Sequence, residues 1–273
     1  MILQANCKIN IGLHVVRRRQ DGYHDLQTLF YPIYNFYDEL EITPSSDPSK
    51  DVVLGMDGIT VDCSAEDNLV MRCYRLMKQR YSNISAVQIR LKKNIPFGAG
   101  LGGGSSDAAH TAIALNSLFQ LGLNREQLAQ EVRPLGADCP FFIYNEPCFA
   151  TGIGEVLTPT PLRLSGWRIL MIKPPVNVST REAYAGVQPD GNEYPWQSDG
   201  NDWLTYRNDF EHSVFAQYPL LNDIKRALYD AGATYAAMSG SGSTIYALWS
   251  PHSPVIQKND TPFSEWIIYD GTL

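Results

Sequence analysis

The chain has 273 residues, with 22 lysines and arginines against 29 aspartates and glutamates and a formal net charge of −7. Apolar residues make up 44%, the composition of a folded protein long enough for two cores. Basic residues are scattered apart from Arg17, Arg18 and Arg19, so the basic stripe of a nucleic-acid binder is missing, and no apolar run approaches the roughly 18 residues that cross a bilayer.

The segment "MILQANCKIN" has no basic stretch leading into an apolar run, so no secretory leader is expected. Five cysteines (Cys7, Cys63, Cys73, Cys139 and Cys148) form neither a disulfide framework nor a C-x-x-C metal pattern. The expectation is a cytoplasmic protein, with neither nucleic acid nor membrane as partner, acting as a monomer or weak homodimer.

From Met1 to Val15 the odd positions are Met, Leu, Ala, Cys, Ile, Ile, Leu and Val, while the even positions from Gln4 to His14 are polar or glycine. Period-2 alternation predicts a half-buried strand with Asn6, Lys8 and Asn10 on one polar face. That face is either solvated or functional. Asp21-Gly22 marks a tight turn, Leu26–Ile33 a returning strand, and "DELEITP" and "KDVVLGMDGITVD" further short strands. Ser64 with Asp67 resembles a capping box opening a helix whose apolar face is Leu69, Val70, Cys73, Leu76 and Met77. "AVQIRLKK" alternates again, with Val87, Ile89 and Leu91 on one face, and leads directly into a glycine loop.

After that loop, "SSDAAHTAIALNSLFQL" predicts a helix with Ala109, Ala112, Ile113 and Asn116 on one stripe, and a second helix covers about Arg125–Arg133. A boundary is expected near the proline-rich end of "PCFATGIGEVLTPTP", dividing the chain into domains 1–156 and 157–273. Beyond it come a strand in "WRILMIKPP", a helix around Ser179–Tyr184 and a polar insert Gln188–Asp202. A helix in "PLLNDIKRALYDAG" stopped by Gly232 and the strands "TYAAM" and "TIYALW" flanking "SGSGS" complete this part.

The loop itself reads "PFGAGLGGGSSDAAH", with five glycines between Gly98 and Gly104. A strand, a glycine loop and a helix opening at serine form an arrangement that binds phosphate. Missing Cβ atoms let backbone N–H groups converge, and the helix N-terminus favours an anion. Ser105 and Ser106 can cap the helix or donate to phosphate oxygens. No lysine follows the glycines, so the ordinary P-loop signature is absent.

"PFGAGLGGGSSDAA" resembles the central motif of the GHMP kinases. "ANCKINIGLHVVRRRQDGYHDLQTLF" is similar to an N-terminal motif of the family, "LGADCPFFI" to its "GADVPF" segment with Cys139 where valine is usual, and "MSGSGSTIYAL" to its third glycine motif. The resemblance implies an α+β fold of two domains, an N-terminal ribosomal-protein-S5-like domain and a C-terminal ferredoxin-like domain. It implies an ATP-dependent small-molecule kinase. Pro96, Phe97, Gly98, Ala99, Gly100, Leu101, Gly102, Gly103, Gly104, Ser105, Ser106 and Asp107 would hold ATP, and Gly240, Ser241 and Gly242 would close over its phosphates.

By the same resemblance Asp138 is the catalytic aspartate, accepting the proton of the substrate hydroxyl. Lys8 is the catalytic lysine, offsetting charge on the transferred group. Read alone, Asp138 also suits a helix N-cap before "CPFFIY", with Pro140 near the helix start. The "DGYH" form of the first motif points within the family to a cytidyl diphosphate substrate, the phosphorylated group being the 2-hydroxyl of 4-diphosphocytidyl-2-C-methyl-D-erythritol in non-mevalonate isoprenoid synthesis. Asn10, Tyr23, His24 and Tyr184 would then bind substrate. Mg2+ is expected with ATP, and Ser106 is the one candidate ligand. His14, His110, His212 and His252 carry no assignment. Another GHMP alcohol kinase and a binding-only member are the alternatives.

Overall fold

The computed structural model describes residues 1–45, 50–60, 64, 66–194, 202–253 and 261–273. Cys63 and residues 195–201 of the polar insert lie outside them. The chain forms two compact units. One comprises Met1–Lys8, Pro32–Phe97 and Gly102–Glu146, the other Ile9–Tyr31, Gly98–Leu101 and Pro147–Leu273. Two long strands, β1 (Ile2–Arg18) and β2 (His24–Pro44), supply residues to both, and so does the glycine loop. The boundary expected at residue 156 thus stands beside a division in which the chain passes between the units several times.

In the first unit the end of β2 pairs antiparallel with β4 (Val87–Lys93), Leu40 opposite Leu91, and β3 (Val52–Gly58) runs parallel to β4. The two strands expected within β2 are one continuous strand. In β4 the alternation holds at every position, with Val87, Ile89, Leu91 and also Lys93 buried. Helix α1 (Leu69–Arg80) starts later than the Ser64–Asp67 pattern suggests. Those two residues close a turn, while the Asn68 side chain accepts from the Val70 N–H and caps the helix.

Helix α2 (Gly103–Leu118) begins two residues before the first serine. Its N-cap is Gly102, with φ +72° and no side-chain cap, so neither serine performs that role. The helix is not amphipathic. Ala108, Ala109, Ala112, Ala114 and Leu115 are buried almost all round, because small side chains let α1, α3 (Arg125–Val132) and α4 (Cys139–Tyr144) pack closely on different sides.

In the second unit the start of β2 pairs with β5 (Cys148–Thr151), and β5 with β6 (Val156–Pro159), a hairpin where glycine-rich turns are expected. The remaining elements are β7 (Arg168–Ile172), α5 (Thr180–Ala185), α6 (Phe210–Gln217), α7 (Pro219–Asp230), β8 (Tyr235–Met238), β9 (Ile245–Trp249) and β10 (Ile267–Thr272). Their strands form an antiparallel sheet in the order β10-β7-β9-β8. The core of this unit joins Leu13 and Val15 of β1 to Leu170, Phe210, Leu221, Ile224, Ile245 and Trp249.

Strand β1 departs most from expectation. Every residue from Ala5 to Val16 is buried, polar face included. Burial is tolerable only because each polar side chain has a partner. Asn6 and Asn145 exchange amide hydrogen bonds at 3.2 and 2.8 Å. Asn10 Nδ2 donates to Thr28 Oγ1 at 2.9 Å, and His14 meets Asp209 at 2.7 Å.

The packing of α2 yields a stability prediction. Leu115 has no exposed surface, so Leu115→Ala should cost about 2–5 kcal/mol through lost burial and a residual cavity. A urea unfolding midpoint equal to that of the unsubstituted chain would contradict the packing described.

Candidate active site

In the first unit, Lys8 and Asp138 come together. Lys8 Nζ lies 3.4 Å from Asp138 Oδ2, with the lysine side chain 4% exposed and the aspartate 31%. Asp138 sits at the N-cap position of α4 but makes no side-chain cap bond. An aspartate in that place ordinarily bonds the N-terminal amides of its helix. Here the carboxylate faces the ammonium of Lys8 and remains open to solvent.

The glycine loop reaches the same lysine. A Cβ on Gly102 would stand 2.9 Å from Phe142 Cζ and 3.1 Å from Lys8 Cε, and its φ of +72° also favours glycine. The first N–H groups of α2 follow immediately and have no partner within the helix. Ser105 is half-buried, its hydroxyl and the Cys139 thiol both beside Gly136, and burial pushes that thiol up to about 12. Ser106 is fully buried, and its hydroxyl lies 3.3 Å from His110 Nδ1. Burial holds His110 below the usual histidine range, so its ring stays neutral. A buried hydroxyl turned toward an imidazole does not fit a Mg2+ ligand. Among the described residues no group of three or more His, Cys, Asp or Glu could hold a metal.

Asp107 reaches into the protein, not outward. It is 3% exposed, and its carboxylate accepts from Lys93 Nζ at 2.7 Å. Lys93 also donates to Asp38 Oδ2, whose other oxygen accepts from the Asn94 and Ile95 N–H groups at 2.6 and 2.9 Å. Gly103 packs on Ile95 and Lys93. This buried Asp38–Lys93–Asp107 cluster ties the entry of the glycine loop to the first turns of α2. Sequence reasoning missed Asp38 and Lys93. The signal was the parity of β4, which places Lys93 on the face of Val87, Ile89 and Leu91.

In the second unit, two glycine stretches meet. Ser239 Oγ donates to Gly100 O at 2.8 Å and accepts from Asn10 N–H at 3.2 Å. A Cβ on Gly100 would stand 1.9 Å from Ser239 O, so only glycine fits. Gly240 and Gly242 are buried and Ser241 is half-buried, its hydroxyl 3.3 Å from Thr180 Oγ1. Asn10, 2% exposed, is held at its carbonyl by the Tyr246 hydroxyl at 2.7 Å.

The same unit brings His24 and Tyr184 together as a stacked pair, ring centroids 4.6 Å apart and planes 19° from parallel. Phe210 meets the Tyr184 ring edge-on. Burial, helped by Arg18, holds His24 below the usual histidine range, which keeps its imidazole neutral. Tyr23 is 61% exposed at the turn that Asp21 and Gly22 close.

The buried cluster makes stability depend on pH. Burial pushes the Asp107 carboxyl up to about 7, and Asp38 adds to that push against the opposing pull of Lys93. The folded chain therefore keeps a proton that the unfolded chain gives up from about pH 4, and stability falls between about pH 4 and pH 7. Asp107→Asn should remove that fall. Relative to the unsubstituted chain, the variant should gain in urea midpoint between pH 4.5 and pH 8; an unchanged difference would show that Asp107 ionises normally.

Comparison with known proteins places the chain in a family. Residues 68–146 match the family model for the GHMP kinases N terminal domain, and residues 199–258 that for GHMP kinases C terminal. The chain is 45% identical over 271 residues to the 4-diphosphocytidyl-2-C-methyl-D-erythritol kinase of Bacteroides thetaiotaomicron, covering 97% of this chain and 96% of the relative. It is 46% identical over 267 residues to the protein of the same name from Bacteroides fragilis, covering 95% and 96%. A crystal structure of a 4-(cytidine 5'-diphospho)-2C-methyl-D-erythritol kinase superposes with a TM-score of 0.77 at 34% identity, over 91% of this chain and 90% of that one. With both family models matched and relatives of this identity spanning nearly its whole length, the chain belongs to the GHMP kinase family.

Proposed function

We propose that this kinase transfers the γ-phosphoryl group of ATP to the 2-hydroxyl of 4-diphosphocytidyl-2-C-methyl-D-erythritol. The observation that carries the chemistry is the Lys8–Asp138 pair, in which the carboxylate forgoes its cap bond to face the lysine. The names of relatives up to 46% identical support the choice of substrate.

Phosphoryl transfer of this kind needs positioning and charge stabilisation more than covalent chemistry. Asp138 orients the hydroxyl and takes its proton as the oxygen bonds to the γ-phosphorus. The bond from that phosphorus to the β-phosphate oxygen breaks, and ADP leaves. Lys8 offsets the charge on the transferred group. Because the Ser106 hydroxyl is buried against His110, the N–H groups from Gly103 onward do most of the phosphate binding. Gly98–Leu101 and Gly240–Gly242 supply further backbone donors. ATP enters as its Mg2+ complex, with the metal held by phosphates and water.

Tyr184 and His24 form the platform for the cytosine. Their 4.6 Å separation leaves no room for a base between them, so the exposed Tyr23 ring closes on it. Asn10 acts on the substrate from the buried middle of β1. No described helix is long and apolar enough to cross a membrane; cytoplasmic residence and a monomer or weak homodimer complete the reading.

Asp138→Asn should lower kcat by about 100- to 10,000-fold, the span of a lost general base, while ADP binding by calorimetry stays near that of the unsubstituted enzyme. Normal turnover would remove Asp138 from the chemistry. Tyr184→Ala should raise KM for the cytidylated alcohol about tenfold through lost stacking and leave KM for ATP alone. ADP release with homoserine or mevalonate, and none with the cytidylated alcohol, would assign the chain to another GHMP alcohol kinase; silence with all three would favour a binding-only member.

A further inference from the structure

Asn208 lies in the segment Arg207–Asp209, just before α6. That segment runs beside β1, with Leu13 N–H donating to Arg207 O and Asp209 N–H to Leu13 O, both at 2.8 Å. The Asn208 side chain is 3% exposed. Its Nδ2 donates to Met238 O and to Gly240 O, both at 2.8 Å, and its Oδ1 accepts from Phe210 N–H at 3.0 Å. Every hydrogen of the amide is used. Flipping it would aim an oxygen at two carbonyls, so one orientation is fixed by the partners themselves.

The two carbonyls flank Ser239, which bonds Gly100 O through its hydroxyl and Thr244 O through its N–H, the latter at 2.9 Å. A turn carrying two glycines has little side-chain packing to define it and much conformational entropy to lose. We infer that Asn208 is a positioning residue for the nucleotide, acting through the glycine turn Ser239–Ser243, whose backbone direction it sets. This rests on the reading that the turn closes over phosphate.

The competing explanation is local. A side-chain oxygen two residues before the Phe210 N–H makes a turn at the start of α6, and that alone would account for asparagine. Aspartate would serve such a turn equally well. It cannot donate to Met238 O and Gly240 O when ionised, so Asn208→Asp separates the two roles. Asn208→Ser, which also keeps an oxygen near the Phe210 N–H, guards against a variant that misfolds.

The experiment measures calorimetric ADP affinity, KM for both substrates and amide hydrogen exchange, at pH 7.5, for the full chain and each variant. The expected result is faster exchange at Gly240–Ser243 with α6 unchanged, and ADP affinity and KM for ATP weakened about tenfold, the scale of one lost buried polar contact. KM for the cytidylated alcohol should stay within about twofold, a split that general destabilisation would not produce. Exchange rising only in α6, with nucleotide binding intact, would overturn the inference. Faster exchange in the turn with unchanged ADP affinity would also overturn it, and would locate the error in the phosphate-closing reading and not in the hydrogen bonds of Asn208.

Discussion

A strand buried on both faces must supply a partner for every polar group it carries, and β1 meets this requirement separately in each unit to which it contributes. Its even positions hold Asn6, Lys8, Asn10 and His14, all buried. Three are satisfied by neutral amide, hydroxyl or carbonyl groups or by a well-formed histidine–aspartate contact. The Lys8–Asp138 contact differs. It is longer, at 3.4 Å, and its carboxylate remains one-third exposed. A buried ammonium is costly to hold without anionic company, and Asp138 is one of its partners. In the function proposed above, the transferred phosphoryl group is a further anion brought beside it.

The second constraint is anion binding by a chain of net charge −7. Nothing in the overall field draws in a polyphosphate, so attraction must be local and come from oriented backbone dipoles. In the proposed function helix α2 supplies them, and the Asp38–Lys93–Asp107 cluster holds the start of that helix to the strand before the glycine loop. With the two carboxylates and the lysine out of water, the cluster adds little to the outward field. Its work is mechanical: Asp38 holds the N–H groups of Asn94 and Ile95 as the loop begins, and Asp107 is anchored as the helix begins.

The readable parts of the sequence were those in which local pattern and tertiary environment agree. Strand β4 alternates as written because one face is core and the other is not. Helix α7 begins at Pro219 and is followed by Gly232 at φ +81°, as its composition predicts. The glycine loop and the Lys8–Asp138 pair were legible through the resemblance and not through periodicity. Elsewhere, local pattern misled. The alternation of β1 left its polar face as either solvated or functional, and did not reveal its burial, because period 2 reports polarity, not exposure. The stripe on α2 was illusory because an alanine-rich helix can be covered on every side. Asp38 left no local trace, since its partners lie more than 50 residues away in the chain, and the local turn of Asn208 with Phe210 does not reveal its bonds to Met238 and Gly240.

The positions that break local rules fall together. Asp138 occupies a cap site without capping, Gly102 starts a helix in the left-handed region, and Lys93 takes an apolar position in a strand. The missing cap bond at Asp138 forgoes about 1 kcal/mol. In the function proposed above one task uses all three: a carboxylate to take a proton, a backbone that can approach a phosphate, and a buried cation that keeps the approach rigid. Local inconsistency of this kind points, independently of any motif, to Asp138 and Gly102, which the proposed function uses, and adds Lys93, which no motif names.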